Sequence, residues 1–282
     1  MKKRIIAAML MIYVSIMLSA CDLINIGGRT IGLNRVEENT QKTIEAGGIK
    51  TIEVISPVGS VDIETWEKNE IQIVATKINN GLKEKAELLD ELKNAEIFYE
   101  KKDDKYTIKA FLPKFKNNGM SVEFEIYVPQ TIKAYKVDAE VGDIKLSGAE
   151  GDIDVVNNVG KIDLNDCWGV INLKAVTGDV TVRKSSLKAD SALTSNVGRV
   201  LFDGTIGTEG TYKFTTNVGM VDVSLPSDTA FEIDAKTNVG NIDCDFDISG
   251  TEENMEVKGK VKGGGAKVII VNNTGSVNIS KR

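Results

Sequence analysis

A short pattern that recurs ten times constrains the fold of this 282-residue chain more than any other feature. The pattern is a glycine, any residue, a valine or isoleucine, usually a polar residue, and then an apolar residue. The ten copies begin at Gly59, Gly142, Gly151, Gly160, Gly169, Gly178, Gly198, Gly219, Gly240 and Gly275. Five of these glycines are spaced nine residues apart, and a fixed period of this kind is typical of repeat architectures.

The residues after each glycine alternate as a strand with one buried face requires. The position four residues after the glycine is apolar in all ten copies, from Ile63 to Ile279, and the position before it is polar in nine. This period of two is the side-chain alternation of a β-strand. Glycine permits backbone angles that a Cβ would forbid, so we expect all ten glycines to be structural turn residues.

The repeat predicts an all-β fold. A unit of 18 to 21 residues reads as strand, corner, strand and turn, and one such unit cannot bury its own apolar face. Stacked units would bury a continuous core, so the expected architecture is a β-solenoid or β-helix-like stack of short strands with glycine corners. One short amphipathic helix is expected at about 83–94, where leucines recur at three- and four-residue spacings. It would cap an end or a side of the sheet.

The first twenty residues read as a targeting segment rather than as part of the fold. Three basic residues at positions 2–4 precede an apolar run of 14 residues at positions 5–18, which is too short for an ordinary spanning helix. The run leads into Leu-Ser-Ala-Cys, which resembles a bacterial lipobox. We therefore expect residues 1–20 to be a lipoprotein signal peptide and Cys21 to carry the lipid. The alternatives, an uncleaved anchor helix and a plain secretory signal, also place the body outside the cytoplasm.

The rest of the chain divides into three parts. Residues 21–42 read as a tether, residues 43–130 as an N-terminal β-rich part that contains the helix, and residues 131–282 as a repeat array continuous with it. Only four prolines occur, and no stretch rich in Pro or Ser reads as a linker. The length suits one elongated domain or two modest ones.

The charge of the body argues against nucleic acid and anionic lipid as partners. The formal net charge is −6, and removal of residues 1–20 with their three positive charges gives −6 − 3 = −9. Phosphates require a basic patch, so membrane attachment would depend on the lipid at Cys21. The chain has no histidine, and Cys167 and Cys244 read as small buried hydrophobes rather than as a disulfide or metal ligands. No cofactor and no metal site are predicted.

Five residues are candidates for a ligand-binding face. Asp163, Asp222 and Asp243 share one repeat position, and the last two would lie one strand spacing apart, about 4.8 Å, if successive units stacked in register. A cation would relieve the repulsion between such carboxylates, and the alternative is a solvated sheet face. The nonapeptide calcium repeat does not fit, because its ligand position is Val or Ile in every copy here. Trp66 and Trp168 could stack on a sugar or pack at strand ends.

The order of these motifs resembles a known bacterial family. A corner at 57–61 (Pro-Val-Gly-Ser-Val), Trp66, a helix and a strand ending at Pro129 precede the Asn-Val-Gly array, which closes at 273–277 (Asn-Thr-Gly-Ser-Val). Over roughly residues 45–280 the chain is similar to the bacterial "putative adhesin" family, a β-strand-repeat domain of unknown function. The resemblance implies a two-sheeted, β-helix-like stack on an extracytoplasmic protein. It brings no catalytic residues with it.

The sequence favours binding over catalysis. It has no histidine for acid–base work, no nucleophile elbow and no Walker loop, so we predict that the protein is not an enzyme. The expected function is that of a membrane-anchored, adhesin-like lipoprotein whose regular face binds an envelope polymer, a protein partner or another copy of itself. The alternatives are an enzyme acting on envelope polysaccharide and an accessory module of an envelope-stress signalling system.

Overall fold

In the computed structural model of this protein, residues 12–17, 22–26, 29–113 and 119–282 are described, with side chains from residue 33 onward. Within these ranges the chain forms 25 β-strands and one short α-helix, which confirms the all-β prediction. The apolar side chains of the strands form one hydrophobic core.

The strands fall into three groups along the chain. The N-terminal group comprises β1 (Ile12–Met17), β2 (Asp22–Ile26), β3 (Arg29–Glu45), β4 (Thr51–Val58), β5 (Val61–Trp66), β6 (Glu70–Gly81), α1 (Lys85–Leu92), β7 (Glu96–Lys102), β8 (Lys105–Phe111) and β9 (Met120–Pro129). The central group comprises β10 (Ala134–Val141), β11 (Ile144–Ser147), β12 (Glu150–Val159), β13 (Ile162–Asn165), β14 (Trp168–Thr177), β15 (Val180–Leu187), β16 (Ser191–Val197), β17 (Val200–Ile206), β18 (Thr211–Val218) and β19 (Val221–Leu225). The C-terminal group comprises β20 (Phe231–Val239), β21 (Ile242–Cys244), β22 (Ser249–Glu253), β23 (Glu256–Val261), β24 (Ala266–Thr274) and β25 (Val277–Lys281).

The strands pair in two long ladders. The first ladder runs in the order β7, β8, β4, β10, β12, β14, β16, β18, β24, β20, β23, β22. The second runs in the order β1, β3, β6, β9, β5, β11, β13, β15, β17, β19, β25, β21. Pairing is parallel from β8 to β20 in the first ladder and from β9 to β21 in the second, and antiparallel beyond these strands. A first-ladder strand and the second-ladder strand that follows it form one rung.

The core contains the residues that the repeat predicted to point inward. The twenty residues that lie two and four positions after the ten glycines are all buried except Cys244, which is partly buried and packs against the core. Burial of apolar side chains from successive rungs provides the main driving force for this fold. A single rung could not supply such a core, because its apolar face needs a neighbouring rung on each side.

Eight of the ten glycines form one column, at the corner where a first-ladder strand passes into a second-ladder strand. In stacking order they are Gly59, Gly142, Gly160, Gly178, Gly198, Gly219, Gly275 and Gly240. Their φ angles lie between 129° and 149°. A Cβ on Gly178 would lie 1.9 Å from the carbonyl oxygen of Gly160, so the corner has no room for a side chain.

The other two glycines lie at the opposite corner of the rung. Gly151 and Gly169 are near the starts of β12 and β14, and a Cβ on Gly169 would lie 1.8 Å from the carbonyl oxygen of Gly151. Glycines that are nine residues apart therefore lie alternately at the two corners of an 18-residue rung.

The last rung of the chain is not the last rung of the stack. β24 and β25 lie between the rung of β18 and β19 and the rung of β20 and β21. The segment between β21 and β24 forms β22 and β23, which extend the first ladder beyond β20. This insertion explains why the spacing from Gly240 to Gly275 is longer than the other intervals, and the repeat pattern does not predict it.

The sheet begins earlier than the sequence indicated. β3 pairs with β6 from Asn34 to Glu45, so residues 34–42 of the segment predicted to be a tether form part of a strand of the sheet. Among the described side chains of β3, only Val36 is fully buried and most others are partly exposed. The strand therefore lacks the apolar alternation by which strands are recognised in a sequence.

The helix α1 lies within the predicted segment at 83–94 and is shorter at both ends. It packs against β3 and β6, near the N-terminal end of the second ladder, with Leu88 and Leu92 buried. Asn79 of β6 donates from Nδ2 to the carbonyl oxygen of Leu88 at 3.1 Å, which ties the helix to the sheet.

Part of the predicted signal peptide is also paired with the sheet. β1 lies antiparallel to β3, with Ile12 opposite Lys42 and Met17 opposite Glu37. β2 covers the neighbouring part of the same edge, over residues 29–33. Cys21, the predicted lipidation site, lies outside the described residues.

Candidate functional site

The residue before each corner glycine belongs to a row that crosses the stack, which we call the valine corner. In stacking order it comprises Val58, Val141, Val159, Thr177, Val197, Val218, Thr274 and Val239, each opposite the next in the first ladder. Five of the valines, Val141, Val159, Val197, Val218 and Val239, are 43–62% exposed. Neighbouring strands lie about 4.8 Å apart, so the row extends for about 34 Å.

Buried polar side chains hold each corner against its neighbour. The residue three positions before the corner glycine points inward, and in five rungs its side chain donates a hydrogen bond to the carbonyl oxygen of the next glycine in the column. The bonds run from Asn157 to Gly142 (2.8 Å), Ser195 to Gly178 (2.8 Å), Thr216 to Gly198 (2.9 Å), Asn272 to Gly219 (3.1 Å) and Thr237 to Gly275 (3.0 Å). Because buried polar groups need partners, these bonds explain how five polar side chains are accommodated at the corner of an otherwise apolar core.

An asparagine ladder flanks the valine corner. The residue two positions before the glycine is asparagine in four successive rungs, and the side chains bond in pairs. Asn217 Nδ2 donates to Asn196 Oδ1 at 3.0 Å, and Asn238 Nδ2 donates to Asn273 Oδ1 at 2.7 Å. Each amide has two N–H donors and an oxygen with two lone pairs, so this exposed row keeps hydrogen-bonding capacity for a ligand.

Asp222 and Asp243 are not adjacent in the stack. Asp222 and Asp243 both lie opposite Asn278, because β25 inserts between β19 and β21, and they are therefore two strand spacings apart. Asp222 accepts a hydrogen bond from Asn278 Nδ2 at 2.7 Å and forms an ion pair with Arg199. Asp163 is three strands away from Asp222 and lies 3.8 Å from a guanidinium nitrogen of Arg183. These carboxylates have protein partners, and no two of them are adjacent.

The two predicted tryptophans are not brought together. Trp66 ends β5 near the N-terminal end of the second ladder, where its ring stacks on Tyr127 with centroids 5.3 Å apart. Its Nε1 donates to the carbonyl oxygen of Glu70 at 2.8 Å, and Lys68 Nζ lies 4.3 Å from the ring centroid. This packing occupies the ring faces that a sugar would need. Trp168 begins β14 in the first ladder and is exposed.

Two depressions lie on the outer face of the second ladder. The larger, of about 290 Å³, is lined by Arg183, Arg199, Asp203, Asp222, Asn278 and Ser280. Its charges are paired: Arg199 with Asp222, and Asp203 with Arg282 at 3.3 Å. Exposed ion pairs of this kind contribute little to stability, and here they leave the depression close to neutral.

The smaller depression, of about 50 Å³, has Asp62, Glu64, Glu125 and Tyr127 in its wall. Asp62 lies opposite Glu125 in the ladder. Burial, and after it the charge of Glu125 and its acidic neighbours, raises the pKa of Tyr127. This is the place where a carboxylate pair for polysaccharide cleavage would be sought.

The described residues also bear on metals and membranes. Across the described ranges no group of three or more Cys, Asp or Glu could hold a metal ion. In the same residues no helix is long and apolar enough to span a bilayer. Cys167 and Cys244 are free thiols, and burial raises the pKa of Cys167 to about 11.

Two solved structures are similar to this chain in fold. One is described as a putative cell adhesion protein from Clostridium sporogenes, with 19% sequence identity, a TM-score of 0.42, and coverage of 87% of this chain and 100% of the other. The second is described as a putative adhesin from Bacteroides fragilis, with 16% identity, a TM-score of 0.49, and coverage of 86% and 96%. No protein-family model matches the chain, and no curated protein matches it.

Sequence reasoning used the Asn-Val-Gly motif only as a turn signal and missed both the valine corner and the inward donors. The signal for the donors was present. Six of the eight residues three positions before the column glycines are Ser, Thr or Asn, and the other two are Ala139 and Ala175. The exposure of the valines could not be deduced in the same way, because an apolar residue in a strand is ordinarily expected to be buried.

Proposed function

We propose that this protein is an extracytoplasmic, membrane-anchored lipoprotein with an adhesin-like binding surface, and that the valine corner contacts the partner. The observation that supports the proposal is the row of half-exposed valines across successive rungs, beside an asparagine ladder. The exposed valines lie side by side at Val141 and Val159 and at Val197 and Val218, and Thr177 and Thr274 separate these groups from each other and from Val239. Adjacent exposed apolar residues mark an interaction site more often than scattered ones do. If valine occurs at the corner only because it favours extended backbone, substitutions there should leave partner binding unchanged.

The partner that suits this surface is an extended chain, either an envelope polymer or a protein segment. Exposed valines recur on five of the eight rungs, and asparagine amides on four successive rungs, so a linear partner could make similar contacts on several rungs. The net charge of −9 expected after removal of residues 1–20 (−6 − 3) disfavours a strongly anionic polymer. A neutral or cationic partner is therefore expected.

Paired substitutions test the role of the valine corner. Val197 and Val218 lie opposite each other, and their replacement by threonine keeps the branched shape while removing apolar surface. Retention of envelope extract on the immobilised protein should fall at least about tenfold for V197T/V218T. The control is V156T/V271T, which changes two valines of the first ladder that lie away from the valine corner, and it should bind as the wild type does. Equal binding by all three proteins, with equal melting temperatures, would remove the valine corner from the proposal.

The membrane anchor has a separate test. Cells supplied with an alkyne-bearing fatty acid should label the wild-type protein and not the Cys21→Ser variant. The variant should leave the membrane fraction, because each buried CH₂ group of the lipid contributes about 0.8 kcal/mol to attachment. Unlabelled wild-type protein would refute the anchor without affecting the binding surface.

The enzyme alternative has a defined outcome of its own. Depolymerisation of an envelope polysaccharide by the purified protein, abolished by Asp62→Asn or Glu125→Gln, would replace the binding proposal with a catalytic one. Loss of turnover in those variants with polymer binding intact would identify the small acidic depression as the site.

A further inference from the structure

β3 is the outermost long strand at the N-terminal end of the second ladder. One edge of β3 is hydrogen-bonded to β6 from Asn34 to Glu45. The other edge is covered by β2 over residues 29–33 and by β1 over residues 37–42. β1 lies inside the segment that the proposed function assigns to the signal peptide. Removal of residues 1–20 would therefore uncover the edge of β3 at residues 37–42, where β1 now pairs with it.

An open edge on a long sheet presents a row of backbone donors and acceptors that another strand can pair with. The side chains of β3 indicate which strand fits. In an antiparallel pair, two residues that face each other either both direct their backbone N–H and C=O groups toward the partner strand or both direct them away. These orientations alternate along a strand. In a pair of identical strands, the residue numbers of two facing residues therefore differ by an even number. Only certain registers of β3 on a second copy of itself are therefore allowed.

One allowed register is complementary in charge and in polarity. A two-fold axis through Thr40 places Glu38 opposite Lys42 of the second copy and Arg35 opposite Glu45. Within its own chain Glu38 also pairs with Lys77, and Arg35 with Glu37, so the contacts across the axis would extend these ion pairs. Two-fold symmetry repeats each ion pair, and Val36 then faces Ile44. The register with its axis at Gln41 places Glu37 opposite Glu45, and the register with its axis at Asn39 places Val36 opposite Lys42. Both neighbouring registers are thus less favourable, because opposite charges stabilise a cross-strand pair and like charges destabilise it.

The surroundings of β3 favour the same register. Val36 is buried and Ile44 packs against the core, so a second β3 would bring a matching apolar residue to each end of the contact. Lys42 Nζ lies 4.0 Å from the centroid of the Tyr99 ring, on the sheltered side of the strand. An ion pair between Lys42 and Glu38 of a second copy would be less screened there than on an open surface. β2 does not obstruct the contact, because it covers residues 29–33 and the register uses residues 35–45.

We infer that the processed protein forms a two-fold dimer through antiparallel pairing of β3, which joins the second ladders of two copies into one sheet. The inference rests on the proposed removal of residues 1–20. It gives each assembly two lipid anchors, and two anchors hold a protein on a membrane far more firmly than one.

A cysteine on the two-fold axis tests the register. Cα atoms of residues that face each other in an antiparallel pair are about 4.5–5.5 Å apart, which lies within the range that a disulfide spans. Thr40→Cys in the processed, membrane-extracted lipoprotein should give a covalent dimer on a non-reducing gel. The matched control is Thr194→Cys, in the middle of the first ladder, where both edges of the strand are already paired. Equal amounts of dimer from the two variants would overturn the inference.

A charge exchange tests the interface without a covalent bond. Arg35→Glu and Glu45→Arg each place like charges opposite one another twice in the dimer, and each should weaken dimerisation about tenfold in sedimentation experiments. The double variant R35E/E45R restores opposite charges and should return dimerisation to the wild-type level. A wild-type protein that is processed and monomeric, or a double variant as weak as the single ones, would overturn the inference. A protein isolated from membranes that retains residues 1–20 would overturn the proposed processing as well as the dimer. The mass of the isolated protein therefore distinguishes failure of the processing from failure of the dimer alone.

Discussion

At the scale of single residues, each corner glycine satisfies two constraints at once. Its φ angle lies in the region that side chains disfavour, and its Cα faces the carbonyl of the glycine in the next rung. The second constraint depends on stacking and is absent from an isolated turn. Asparagine tolerates positive φ at some turns, but no residue with a Cβ could replace these glycines.

Gly178→Ala should therefore destabilise the protein strongly. Its Cβ would lie 1.9 Å from the carbonyl oxygen of Gly160, and backbone atoms cannot move away cheaply. We expect the free energy of unfolding in urea to fall by at least about 2 kcal/mol. Gly47→Ala is the control, since a Cβ there meets no atom within 4 Å. A similar loss in both variants would show that the column does not impose the constraint.

A second prediction at this scale concerns Tyr106. Burial raises its pKa to about 12, and its hydroxyl has no hydrogen-bond partner among the described residues. The folded state holds the phenolic proton more tightly than the unfolded state, so stability is fully present below the ordinary pKa of about 10 and is lost as pH rises toward 12. Tyr106→Phe should be at least as stable as the wild type at pH 7, because an unpaired buried hydroxyl is costly.

The pH dependence provides the measurement for Tyr106. Urea midpoints between pH 8 and pH 12 should fall less steeply in Tyr106→Phe than in the wild type. A fall should remain in the variant, because burial also raises the pKa of Cys167 to about 11. Identical slopes in the two proteins would contradict the assignment of alkaline sensitivity to Tyr106.

At the scale of elements, the strands are joined by the side chains that point into the corners as well as by their backbones. Ser195 donates to the carbonyl oxygen of Gly178, whereas Ala175, at the same position of the preceding rung, has no donor for Gly160. The two rungs thus form a natural comparison. Ser195→Ala should lower the free energy of unfolding by about 1 kcal/mol, and Ala175→Ser should raise it by a similar or smaller amount. Changes of the same sign in the two variants would argue against a stabilising role for these bonds.

The elements differ in how far the sequence predicts them. Most strands of the repeat array could be predicted, because each carries its own alternation and its own glycine. The helix could be predicted because its leucines follow the helical period, although the pattern extended beyond the ends of α1 at Lys85 and Leu92. β3 could not be predicted, because its apolar and polar residues do not alternate with a period of two. Val36 is buried, whereas most of its other described side chains are partly exposed.

At the scale of the whole molecule, the position of the last rung determines how the C-terminal part is held together. β24 pairs with β18 on one side and with β20 on the other, and β25 likewise lies between β19 and β21. The end of the chain therefore stabilises strands that precede it by tens of residues.

Deletion of residues 266–282 tests this arrangement. Because the deleted rung lies inside the stack, amide hydrogen exchange should accelerate in both β18–β19 and β20–β21. The rungs from β10 to β13 should keep their protection and provide an internal control. Acceleration confined to β20–β21 is the outcome expected of a stack that follows chain order, and it would refute the insertion.

The sequence by itself determined the all-β class, the inward-facing residues and the need for glycine at the corners, because each of these depends on residues close together in the chain. Only the tertiary structure decided which rung lies beside which. Rungs of similar shape can stack in more than one order, so local patterns do not distinguish them. For that reason local patterns did not predict that Asp222 lies opposite Asn278 and not beside Asp243. They also did not predict that β1 covers an edge of β3. The valine corner has the same origin, since a row exists only after separate turns have been placed in register.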